Sequence, residues 1–146
     1  MVGPALQQPD SHHLIHEMAW QEANTIQSVI ERLWQTNAVE QFVEATGIFI
    51  EVVESRILSH AIEEERGLSP SWLAMNNAWT AMVASFIENH DHLRRLLHRL
   101  KDITMQAYYP EVLPLIAEFL KQSHAHSNRE ETFMGWIMGT EKSDSL

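Results

Sequence analysis

Apolar residues recur three and four positions apart along almost the whole chain, the period of a helix with one face turned to a core. The first stripe runs through Ile15, Met18, Ala19, Ile26, Val29, Ile30 and Leu33 and predicts a helix over 11–35. Thr36 and Asn37 then form a short turn. Phe42, Phe49, Val53 and Ile57 share one face of a second helix, expected over 39–66. Gly67 is the natural stop, because glycine tolerates the left-handed conformation that closes a helix. Ser69 and Pro70 read as an N-cap and first helical residue, leaving 70–77 as a short helix or an ordered loop. The third stripe, Trp79, Met82, Val83, Phe86, Leu93, Leu97 and Leu100, predicts a helix over 78–101. A connection over 102–109 follows. Pro110 opens the fourth helix, carried to 138 by Leu113, Ile116, Phe119, Leu120, Phe133 and Ile137. Pro114 falls in its first turn, where a missing N–H costs least.

Strand signals are nearly absent. The expected fold is therefore all-α, an antiparallel up-down four-helix bundle over 11–138 with flexible ends at 1–10 and 139–146. A chain of 146 residues fits one such domain. The first ten residues lack the basic and apolar regions of a signal peptide, and no apolar run approaches membrane-spanning length. Cytoplasmic localisation is the expectation.

Composition changes the picture in two ways. There is no cysteine, which excludes disulfides, thiolate metal sites and thiol catalysis. The formal net charge is −10, which disfavours nucleic acid and anionic membranes as partners. The nine histidines fall in clusters, and imidazole is the commonest metal ligand among side chains.

Helical phase, about 100° per residue, separates these histidines. His60 and Glu64 share the inward face of the second helix. His90 lies mid-stripe on the third, and His126 and Glu130 flank the stripe of the fourth. On the first helix His12 lies near the stripe and His16 further round, so either can be the inward residue. His13, His92 and His124 point away. Two helices thus carry His-x-x-x-Glu, an i, i+4 pair about 6 Å apart at Cβ that can bind one metal or bridge two. A buried glutamate needs a partner. Without metal, Arg56, predicted inward, or Arg94 would have to supply it, and the chain would be a metal-free helical interaction module. Glu65 and Glu131 read as outward groups or as carboxylates that orient the imidazoles. Arg94, Arg95, His98 and Arg99 read as a solvated basic face, and Tyr108 and Tyr109 as packing residues.

Imidazole and carboxylate without thiolate suit iron, with manganese or zinc behind it. Ferritin-like carboxylate bundles use Glu-x-x-His, which does not occur here. The ordered set, Ser11-His12-His13-Leu14-Ile15-His16, then His60-Ala61-Ile62-Glu63-Glu64-Glu65, then Glu88-Asn89-His90-Asp91-His92-Leu93, then His126-Ser127-Asn128-Arg129-Glu130-Glu131, resembles the hemerythrin-like (HHE cation-binding) family. The resemblance covers about 11–137. It implies two non-haem iron ions, oxo- or hydroxo-bridged, with Glu64 and Glu130 as bridges and His12 (or His16), His60, His90 and His126 as terminal ligands. It also implies oxygen binding, or binding and sensing of nitric oxide or peroxide, in a monomer or homodimer. A di-iron enzyme that decomposes peroxide or oxidises a small substrate is the alternative. Oxygen carriers of this family have a second histidine one turn after the third-helix ligand. Arg94 stands there, which leaves more open coordination. The N-terminal cysteine segment common in di-iron repair members is also missing.

Overall fold

The computed structural model describes the backbone of residues 9–144 and the side chains of 10–139. Every long element is helical, and no strand occurs among the described residues. Helix α1 is Pro9–Gln35, with Pro9 at its start, Asp10 in its first turn and Arg32 in its last, an arrangement that suits the helix dipole. Asn37 closes it with a left-handed φ of 57°. The amide of Ala38 reaches back to the Leu33 carbonyl at 3.0 Å, a Schellman-type closure that asparagine tolerates.

The second helical stretch is longer than its sequence suggests. Helix α2, Val39–Val53, passes through a π turn at Glu54–Leu58 into α3, Ser59–Glu63. A second π turn at Glu64–Leu68 leads into α4, Ser69–Met75. Gly67 does not stop the helix and Ser69 is not an N-cap; Ser69 keeps helical angles, φ −60° and ψ −49°. Pro70 removes one N–H and would clash with the carbonyl four residues back. The widened turn just before it relieves that clash, so the helix continues. Asn76, extended at φ −159°, breaks the helix, and its Oδ1 accepts the Ala78 amide at 2.9 Å.

A 3₁₀ turn, Asn77–Trp79, leads into α5, Thr80–Met105. Buried Ile103 extends the stripe beyond the expected end at 101. Ala107 closes α5 with φ 57°, and Tyr108 N–H returns to the Ile103 carbonyl at 2.8 Å. A second 3₁₀ turn, Tyr109–Glu111, opens α6, Val112–Asp144. Of the flexible ends expected at 1–10 and 139–146, residues 1–8 and 145–146 lie outside the described residues; α1 already starts at Pro9, and 139–144 continue α6 as helix to Asp144.

Helix α1 packs on α2 and α6, α5 packs on α6, and α2 touches α5, so the four long stretches enclose a common interior. Two apolar clusters fill it. One contains Phe42, Phe49, Val53, Leu97, Ile116 and Phe119. The other contains Leu68, Trp72, Val83, Phe86, Phe133 and Ile137. Met18, Val29 and Met82, at the margins of their stripes, are exposed rather than in the core. No helix among the described residues is long and apolar enough to cross a membrane.

Candidate metal centre

Histidine and glutamate side chains from α1, α3, the second π turn, α5 and α6 meet in the interior. His12 and Glu130 are fully buried, and His60, Glu64, His90 and His126 nearly so. Both candidates on α1 converge. His60 Nε2 lies 3.0 Å from His12 Nε2 and 3.2 Å from His16 Nε2. The spacing along the chain allows this: His12 and His16 are one turn apart, and His60 reaches their level across the α1–α2 turn.

The two carboxylates divide their oxygens. Glu64 Oε1 lies 2.9 Å from His60 Nε2, 3.6 Å from His12 and 3.5 Å from His16. Glu130 Oε1 lies 3.2 Å from His12 Nε2 and 3.6 Å from His16 Nε2. The opposite oxygens face the other histidines. Glu64 Oε2 is 3.8 Å from His90 Nε2, and Glu130 Oε2 is 3.0 Å from His126 Nε2 and 3.9 Å from His90 Nε2. His12, His16, His60 and Glu64 form one group that can hold a metal ion, and Glu64, His90, His126 and Glu130 form another.

The spacing fits coordination. Ligand atoms about 2.1 Å from one ion lie about 3.0 Å apart when adjacent in an octahedron and about 4.2 Å apart when opposite. Ring orientation agrees. His16 Nδ1 donates to Glu131 Oε1 at 3.1 Å, His126 Nδ1 donates to Asn89 Oδ1 at 3.1 Å, and His12 Nδ1 faces Met134 Sδ. A proton on each Nδ1 leaves the Nε2 lone pairs aimed inward, the usual second-sphere arrangement of metal-binding histidines. His90 Nδ1, His126 Nε2 and both oxygens of Glu130 are buried without a hydrogen-bond partner. Unsatisfied buried groups of this kind are costly, and a cation would satisfy most of them at once.

Electrostatics carries the same message. Burial pulls the His12 pKa down, but Glu130 and Glu64 outweigh it and raise it from 6.5 to about 9. The imidazolium proton thus takes the place of a cation between two carboxylates. Burial pushes Glu64 up, yet its contacts with Glu130, His12, His16 and His60 hold it well below the usual carboxylate range. His90, dominated by burial, is lowered and favours the neutral form that binds metal.

The arginines offered as partners for the buried glutamates lie elsewhere. The first π turn rotates Arg56 outward, where its Nε meets Glu22 Oε2 at 3.4 Å. Arg94 binds Glu65 and Asp91, and Glu65 Oε1 lies 3.8 Å from His90 Nδ1. Glu131 serves both His16 and exposed His13. His124 stacks against Trp20 outside the cluster. Arg95 and Arg99 pair with Glu88 and Glu111 on the surface, and Tyr109 packs on Phe42.

Sequence reasoning missed Asn89, Arg129 and Met134. Met134 lies one turn beyond Glu130, so helical phase could have found it. Asn89 reaches His126 across two helices, and Arg129 donates to the same Asn89 oxygen at 2.7 Å; no local pattern announces such a contact. No protein-family model, curated protein or solved structure matches the chain.

Proposed function

We propose that the chain is a hemerythrin-like protein, an antiparallel up-down four-helix bundle that holds two non-haem iron ions and binds or senses a small ligand such as oxygen, nitric oxide or peroxide. The division of the Glu64 and Glu130 oxygens between two histidine groups carries this reading. A carboxylate with one oxygen toward each group is built to bridge two ions. His12, His16 and His60 with both Oε1 atoms offer five ligand atoms to one ion. His90 and His126 with both Oε2 atoms offer four to the other. Six-coordinate ions would keep open positions, mostly on the His90–His126 side. The absence of thiolate and the mixture of imidazole and carboxylate favour iron.

A cavity of about 20 Å³ borders His16, His60, Glu64, His90 and His126. Without metal it has room for about one water-sized group and little more. Ser123 and Ser127 also line it, and their hydroxyls would donate to a ligand bound there. Leu93 and Ile57 add apolar surface among these polar residues. Bound iron would supply reversible redox change and an open coordination position. The residues supply the rest: Asn89 and Glu131 hold imidazoles in their binding tautomer, and the two carboxylates balance charge.

Metal analysis with a visible absorption spectrum of protein purified under air tests this. Two irons per chain, with bands that shift on adding azide, are expected. Glu130→Gln should lose at least one of the two irons. A protein that holds no metal as purified and takes up no ferrous iron when metal-free overturns the proposal.

A further inference from the structure

A ligand bound at this centre must first cross the bundle wall. His12 and Glu130 seal one side: both are fully buried, and neither borders the 20 Å³ cavity. That cavity extends instead toward α1 and the first π turn, where Ile15, Ala19 and Arg56 belong to its wall. The same three residues line a surface hollow of about 530 Å³, together with Met18, Glu22 and Thr25 among others. The two spaces adjoin, and Ile15, Ala19 and Arg56 form the layer they share.

That layer is thin and able to move. Ala19 contributes one methyl group, and Ile15 is only half-buried. Arg56 is 64% exposed and pairs with Glu22, itself 45% exposed. An exposed pair of this kind is weakly held, and its side chains change rotamer on a nanosecond scale. The π turn is what brings Arg56 here; π turns are frequent at functional sites.

Charge then decides what the layer admits. With a formal net charge of −10, the protein as a whole repels small anions. Among the described residues, Arg56 is the one lysine or arginine that lines either space. We propose that small ligands reach the centre through the seam between α1 and the first π turn, and that Arg56 is the specificity-determining residue there. Its guanidinium, released from Glu22, draws in small inorganic anions the size of azide, while Ile15 and Ala19 hold back larger molecules. This inference rests on the proposed metal centre.

The test is stopped-flow association of azide, an anion, and of nitric oxide, which is neutral, with the iron-loaded protein. Arg56→Met keeps the aliphatic stem and removes the charge. It should slow azide by about threefold to tenfold at low salt, with the difference vanishing at high salt. Nitric oxide should bind within about twofold of the wild-type rate, because it carries no charge to steer. Arg56→Lys should retain the azide rate. Ile15→Trp should slow both ligands, with iron content and absorption unchanged. The proposal is overturned if Arg56→Met leaves azide association unaltered, if Ile15→Trp slows neither ligand, or if the Arg56→Met effect persists at high salt. A wild-type protein that retains no iron removes the centre and the route together, a result distinct from a loaded protein whose rates do not respond.

Discussion

Raising the pH of the metal-free protein from 6.5 to 9 should weaken its fold, because His12 gives up the proton that holds two buried carboxylates together. Its pKa rises from 6.5 to about 9 on folding. A group raised in this way contributes its full stabilisation below the unfolded value and loses it as pH climbs through the folded value. The shift amounts to about 3 kcal/mol at about 1.4 kcal/mol per pH unit. For a chain of this size that corresponds to a fall of about 6–12 °C in Tm. Metal should reverse the trend. An ion bound at His12 Nε2 replaces the proton, so the stabilisation it adds grows across the same window. Below 6.5 the sign changes. The lowered pKa values of His90 and Glu64 are contributions lost as pH falls, so metal-free stability should peak near the lower end of the window. Thermal unfolding followed by circular dichroism, with chelator and with anaerobic ferrous iron, measures both slopes. His12→Gln should flatten the metal-free slope. A flat wild-type profile, or a His12→Gln profile as steep as wild type, would refute the reasoning.

In the proposed di-iron protein, Asn89→Leu should weaken binding of the ion at His90 and His126 by about tenfold to a hundredfold, because His126 loses the acceptor that fixes its tautomer; chelator competition should then strip one iron well before the other, and simultaneous loss of both would count against it. Ala107 holds a left-handed φ of 57°, which costs an L-residue about 1–2 kcal/mol. Ala107→Gly should therefore raise stability by about 1 kcal/mol, seen as a higher denaturant midpoint with unchanged slope.

Much of the interior was legible because a helix converts spacing into direction. Three- and four-residue intervals grouped His60 with Glu64 and His126 with Glu130, and put His90 among Val83, Phe86 and Leu97. The same arithmetic failed for some residues in and beside the widened turns, although His60 and Glu64 kept the direction it gave them. Arg56, within the π turn at Glu54–Leu58, points out to Glu22 rather than inward. The π turn at Glu64–Leu68 accommodates Pro70, so Gly67 and Ser69 lose the terminal roles their residue types suggest. Both changes arise because a widened turn depends on the side chains that pack against it as well as on the residues within it.

Sequence by itself thus determined an all-helical chain whose inward faces carry histidine and glutamate at one-turn spacing. Only tertiary structure decided that His12 and His16 both converge on His60, that Glu64 and Glu130 each turn one oxygen to either histidine group, and that Asn89 and Arg129 support His126. The contacts of His60 with His12 and His16, and of Asn89 with His126 and Arg129, join residues 37 to 48 positions apart. Their distances follow from how helices dock across the core, which no local period encodes.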